Sequence, residues 1–251
     1  MSKNYFMHNK IYWLLLVSIS CYSQKEPIET DRPDQTETPA IVPKGMFQVE
    51  SGFTFEKIDS KNLVFVLPST LWKYGISQKI ELRVITEFVI EKEENQKQNG
   101  FLPIAVGFKI NLFEEKGWLP KTSLISHVSI KNWSTSKYKY DYFVPDFRFT
   151  MQHSLGDNFC LGYNLGAEWD GFTKQSKLLY TVTIGYSVTN KLGSYLELFG
   201  FAPQNEIAYH NFDGGFTYLI NNNFMVDLSS GFGITQKAPK HYFAFGISFR
   251  I

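Results

Sequence analysis

From Gly45 to Ile251, apolar and polar or small residues alternate with a period of two. Phe159, Leu161, Tyr163, Leu165, Ala167 and Trp169 are separated by Cys160, Gly162, Asn164, Gly166 and Glu168. Phe224, Val226, Leu228, Ser230, Phe232 and Ile234 are separated by Met225, Asp227, Ser229, Gly231 and Gly233. A helix would mix these two sets on every face, whereas a strand sends them to opposite faces. Twelve such runs can be counted, over 45–57, 62–75, 79–92, 100–113, 119–132, 140–154, 158–170, 177–189, 192–202, 208–220, 223–235 and 241–251. Most exceed the roughly 5–6 residues of a globular strand and suit the roughly 9–11 that cross a bilayer at a tilt. No convincing amphipathic helix interrupts them.

The connections alternate in length. Short turns fall at Ser77–Gln78, Gly156–Asp157, Asn190–Lys191 and Asn221–Asn222, and longer polar links at Glu93–Asn99, Asn132–Lys139, Gly171–Ser176, Ala202–Ile207 and Gln236–Lys240. Short turns on one side and long loops on the other are the habit of outer-membrane barrels. Only Asp59–Lys61, a short link on the long side, departs from it. Aromatic content is 17% while mean hydropathy is −0.19, which fits strands with one apolar face better than a two-sided core. Trp72 and Trp118 fall near short-turn ends, Trp133 and Trp169 near long-loop ends, as two interfacial girdles require. The final run, "HYFAFGISFRI", puts Phe243, Phe245, Ile247, Phe249 and Ile251 on one face and resembles the C-terminal recognition strand of outer-membrane proteins. The expectation is an all-β chain: a transmembrane antiparallel up-and-down β-barrel of about 12 strands, closed by that aromatic strand, with both termini on the periplasmic side. Its partners are then outer-membrane lipid, the barrel-assembly machinery engaging the last strand, and a small-molecule solute. A soluble β-sandwich is the alternative.

Residues 1–23 read as a signal peptide: Lys3 and Lys10 precede the apolar Ile11–Ile19, and cleavage near Ser23 is expected. A lipoprotein signal acylated at Cys21 is the competing reading. Removing this leader leaves 23 basic against 24 acidic residues, with no basic stripe for nucleic acid. Cys160 is then the only cysteine, which rules out an intramolecular disulfide and a cysteine-based metal cluster. His153, His210 and His241 are scattered near strand ends without ligand spacing, so neither metal nor cofactor is expected.

If the apolar face meets lipid, the other face lines a lumen and collects Glu50, Glu56, Glu81, Arg83, Glu87, Lys109, Asp146, Arg148, Glu168, Glu197, Asp227 and Arg250. Charges inside a lipid-surrounded barrel point inward, where they pair or meet water. They read either as an ion-pair network filling the lumen or as the lining of a solute path. One pattern invites an enzymatic reading: "SHVSI" puts His127 and Ser129 on one strand face and resembles the His-x-Ser of outer-membrane phospholipase A. Both residues point inward, however, and the Asn-Gly expected after the serine is replaced by Ile130 and Lys131. No enzyme is therefore expected.

The stretch "ETDRPDQTETPAIVPKGMFQVESGFTFE" resembles the start of the bacterial family named after the meta-pathway of phenol degradation. The matching residues are Thr30, Asp31, Arg32, Pro33, Asp34, Thr36 and Glu37, then Val42, Pro43, Lys44, Gly45, Gln48, Glu50 and Gly52. The tyrosine-bearing turns, the run "DGGFTYLINNNFMVDLSSGFGIT" and the aromatic last strand extend the likeness over nearly all the mature chain. The resemblance implies an outer-membrane barrel transporter and, through the family's name, aromatic or other apolar solutes. It brings no catalytic motif.

The domain plan is thus a signal peptide (1–23), a Pro-rich polar segment (24–44) and a barrel (45–251). The expected function is passage of a small, hydrophobic or aromatic solute across the outer membrane. A non-conducting structural or binding barrel is the alternative, and a lipid hydrolase a third. Proline keeps residues 24–44 out of helix and sheet, and their extended reach of roughly 70 Å is enough to enter the lumen. Asp31, Asp34 and Glu37 are expected to pair with Arg83, Arg148 or Lys109, and Arg32 with an inward glutamate, making this segment a plug; a disordered periplasmic tail is the other outcome.

Overall fold

A computed structural model describes residues 26–94 and 96–251. Its strands are β1 (Phe47–Lys57), β2 (Asn62–Gly75), β3 (Ile80–Glu93), β4 (Gln96–Phe101), β5 (Ala105–Phe113), β6 (Lys121–Ser129), β7 (Val144–Leu155), β8 (Phe159–Trp169), β9 (Ser176–Ser187), β10 (Leu192–Pro203), β11 (Tyr209–Asn221), β12 (Phe224–Gly233) and β13 (His241–Arg250). One 3-10 turn, Ser136–Tyr138, lies in the link before β7. The expected leader, with Cys21 and Ser23, lies outside the described residues.

Strand β1 pairs with β2 on one side and β13 on the other, Gln48 opposite Arg250 and Lys57 opposite His241, so the sheet closes into a ring. Every pairing is antiparallel. Twelve strands make the ring; β4 stands outside it, laid against Phe88–Glu93 of β3. Closure leaves no sheet edge within the ring, which is the condition for a strand structure to cross lipid.

The register puts the period-two sets on opposite surfaces. Leu196, Phe216 and Ile184 face outward at 60%, 56% and 52% exposure, while Lys73, Arg83 and Lys109 face inward at 1%, 1% and 0%. Apolar outside and charged inside is the reverse of a water-soluble protein and the arrangement of a membrane barrel. The four tryptophans among the described residues sit at the two ends: Trp72 and Trp118 toward the short turns, Trp133 and Trp169 toward the long loops.

The strand count differs from expectation at one place. The expected fourth strand, 100–113, divides into β4 and β5, separated by Leu102, Pro103 and Ile104. Pro103 has no N–H to continue a ladder, which breaks the run there. The polar link expected at Glu93–Asn99 is instead a hairpin, with Glu94 at φ 38° in the turn and Gln96–Phe101 returning along β3. Its residues Gln96–Asn99 are polar on both faces, so no alternation marks it. The short Asp59–Lys61 link is a self-contained turn: the Asp59 carboxylate accepts N–H bonds from Lys61 and Asn62 at 2.7 and 3.0 Å.

Candidate functional site

Segment 28–43 enters the ring and leaves it at the short-turn end. The Ile28 N–H donates to the Asn222 carbonyl at 2.8 Å, and the Val42 N–H donates to Glu81 Oε2 at 2.8 Å. Between these anchors it meets inward side chains of most of the ring.

Asp31 is its centre on one wall. Lys73 of β2 and Arg83 of β3 reach Asp31 Oδ2 at 2.9 Å each, and Lys109 of β5 reaches Oδ1 at 2.7 Å. Glu37 takes Arg83 at 2.6 Å and Arg148 at 3.5 Å. Glu50 binds Lys73 at 2.5 Å and accepts the Asp31 and Arg32 N–H groups, while Glu81 takes Arg83 at 3.0 Å. Four cations (Lys73, Arg83, Lys109, Arg148) thus face four carboxylates (Asp31, Glu37, Glu50, Glu81). Charge-assisted hydrogen bonds of this density hold only when every member is satisfied.

Arg32 turns the other way. Its Nη2 donates to Asp227 Oδ1 at 2.9 Å and its Nε to Oδ2 at 3.3 Å. The guanidinium occupies a slot between Gly52 of β1 and Gly246 of β13, which stand opposite each other; a Cβ at either would overlap it. The partner expected for Arg32 was a glutamate, and Asp227 takes that place. Farther along, the Gln35 N–H donates to Glu197 Oε2 at 2.7 Å, the Thr36 hydroxyl reaches Glu197 Oε1 and Thr181, and the Glu37 N–H donates to Asn164 Oδ1 at 2.7 Å.

The remaining expected residues scatter. Asp146 accepts from His127 Nδ1 at 2.9 Å, while His127 Nε2 accepts from Arg83 Nε at 3.0 Å. Both imidazole nitrogens are therefore engaged away from Ser129, contrary to the arrangement a serine nucleophile needs. Glu168 pairs with Lys177 at 2.8 Å near the long loops, and Arg250 donates to the carbonyls of Glu26 and Asn222 at the short-turn end. Glu87 accepts from Ser69 at 2.8 Å. Asp34 lies on the side of Glu197 and Asp213, not against Arg83, Arg148 or Lys109.

Lys73 and Asp213 join the site although sequence reading did not single them out. The alternation carried the clue for both, since Lys73 is out of phase with Trp72 and Tyr74, and Asp213 with Phe212.

Three lumen cavities border the segment. One of about 450 Å³ opens toward the short turns beside Asn158 and Cys160. One of about 280 Å³ lies along Leu71, Ile85 and Arg148, and one of about 400 Å³ toward the long loops beside Phe201 and Tyr209. Arg32 and Asp34 line all three.

A family model described as the MetA-pathway of phenol degradation matches residues 30–251. Among solved structures, the COG4313 outer membrane channel from Pseudomonas putida F1 aligns with a TM-score of 0.67 at 10% identity, over 88% of this chain and 99% of that one. The NanC porin aligns at 0.56 and 8% identity, over 82% and 100%. The CymD monoaromatic hydrocarbon channel aligns at 0.50 and 8% identity, over 83% and 88%. At such identities the likeness concerns the fold. No curated protein matches the chain by sequence.

Proposed function

The chain belongs to the family described as the MetA-pathway of phenol degradation, and from that premise we propose that it is an outer-membrane channel for small hydrophobic solutes, closed at rest by its own segment 28–43. The observation that carries the reading is the convergence of three lumen cavities on Arg32 and Asp34 of that segment. In this reading the segment is what separates the three cavities. The barrels named as channels among the structural relatives support the transport part of the reading, and the outward apolar belt supports an outer-membrane location.

Passage then works by displacement. The segment is joined to the ring by hydrogen bonds and ion pairs, without a covalent tie between Ile28 and Pro43. A shift that releases Arg32 from its glycine slot joins the cavities above and below it. The strongest contacts, those of Asp31, remain as a hinge on the β2–β3–β5 wall. The test is deletion of Gln24–Pro39 in the full barrel reconstituted in liposomes. Conductance and entry of a neutral aromatic solute such as 2-phenylethanol rise; a deletion that leaves both unchanged overturns the gate.

A further inference from the structure

We propose that the lumen cavity on the long-loop side of segment 28–43 binds a small organic ammonium ion. Carboxylates Asp34, Glu56 and Glu87 take the charge, and the rings of Phe199, Tyr209 and Tyr242 take the hydrocarbon. The inference rests on the channel reading, since it places a solute station on the path.

The cavity holds about 400 Å³, within the size of ordinary small-molecule sites of roughly 300–1,000 Å³. Its chemistry is unlike that of the opposite wall. Asp31, Glu37, Glu50 and Glu81 all have cations at 2.5–3.5 Å. Among the described residues, Asp34, Glu56 and Glu87 have no such partner. Arg32, which also lines the cavity, is already fixed on Asp227.

The wall behind the cavity is short of positive charge as well. One lumen row runs Glu56, Tyr242, Gly231, Asp213, Glu197 across β1, β13, β12, β11 and β10. Glu197 and Asp213 stand directly opposite each other, the arrangement in which like charges repel. Asp213 is 1% exposed; the Tyr242 hydroxyl donates to its Oδ2, and its Oδ1 has no partner. The next row adds two more buried oxygens without partners, the hydroxyls of Tyr195 and Ser229. These groups stand behind the cavity lining rather than in it, so they add to the acidity of its floor without contacting a ligand.

The form of the cation follows from the walls. Among the described residues no group of three or more His, Cys, Asp or Glu side chains is arranged to hold a metal ion. Acids lining one cavity together with aromatic rings suit an ion with a hydrocarbon body, because a ring face attracts an ammonium group. The wall already shows that contact once: Lys177 Nζ lies 4.9 Å from the centroid of Phe201, with Glu168 neutralising the lysine at 2.8 Å. Phe201 in turn stacks on Tyr209 at 5.2 Å, leaving the rings of Tyr209 and Tyr242 to a ligand.

The experiment uses the full chain in detergent micelles and two probes of equal shape, 2-phenylethylammonium and 2-phenylethanol, titrated by calorimetry at neutral pH. The ammonium ion binds at least about tenfold tighter than the alcohol. Glu56→Gln with Glu87→Gln brings that ratio to about one, and Asp34→Asn alone lowers it, while the electrophoretic heat shift shows each variant folded. Equal binding of the two probes, or an undiminished ratio in the double variant, overturns the site; in that case protons alone balance the acids. The parent reading fails separately: if deletion of Gln24–Pro39 leaves 2-phenylethanol entry unchanged, the gate falls whatever the calorimetry shows.

Discussion

On the β2–β3–β5 wall, Asp31 meets Lys73, Arg83 and Lys109 within 2.9 Å, whereas on the β10–β11 wall the same segment brings Thr36 and Gln35 to Glu197 beside Asp213, with no cation among the described residues in reach. One wall grips the segment through compensated charge, and the other touches it through neutral donors over an acidic floor. The contrast teaches that inward charge in a narrow lumen is not one kind of thing. Where signs balance, it acts as a fastener; where one sign dominates, it leaves a place for something else.

The contrast can be broken from the strong side first. Asp31→Ala leaves three buried cations without their shared carboxylate, and losing one partner of a buried pair costs about 3–5 kcal/mol. The folded band on a heat-shift gel is lost at a clearly lower temperature, and liposome conductance rises. Gly246→Val comes next: its side chain fills the Arg32 slot, and overpacking of this kind costs about 1–3 kcal/mol. Conductance rises while the Asp31 contacts persist, which separates release of Arg32 from release of the whole segment.

On the acidic wall the sign reverses. Glu197→Gln removes half of a like-charged pair standing directly opposite across β10 and β11, a relief of roughly 0.2–1 kcal/mol; its amide oxygen accepts from the Gln35 N–H and its amide nitrogen donates to the Thr36 hydroxyl, which turns to Thr181. The heat-shift temperature holds or rises slightly; a drop as large as that of Asp31→Ala would erase the distinction between the walls. The smallest effect belongs to Glu168→Gln. Its pair with Lys177 is about 30% exposed on each side, and such pairs contribute about 0–1 kcal/mol. The heat-shift temperature stays within error.

Strand existence and face were legible because alternation is a local signal: Leu196 and Glu197 declare their sides from two neighbours each. The hairpin of β4 was not, because Gln96–Asn99 are polar on both faces and carry no alternation. The partners of Asp31 were readable as a class, inward cations, but not as the trio Lys73, Arg83 and Lys109. That selection depends on how three strands stagger around the ring, a property of closure rather than of any run of residues. Arg32 shows the same limit. Its slot exists because Gly52 and Gly246, almost two hundred positions apart, fall opposite each other in one register.

That register at the β1–β13 seam also bears on the order of events during assembly. The seated segment draws contacts from β2, β3 and β5 through Asp31, from β7 through Glu37, from β8 through Asn164, from β9 and β10 through Thr36, and from β12 through Arg32. The Arg32 slot is made only when β1 meets β13, the strand pairing of longest sequence separation among the described residues and therefore the slowest to search. A half-built sheet offers the Asp31 grip without the slot. Seating of Arg32 is thus a chemical signature of a finished ring, available to distinguish a closed molecule from one still open at its seam.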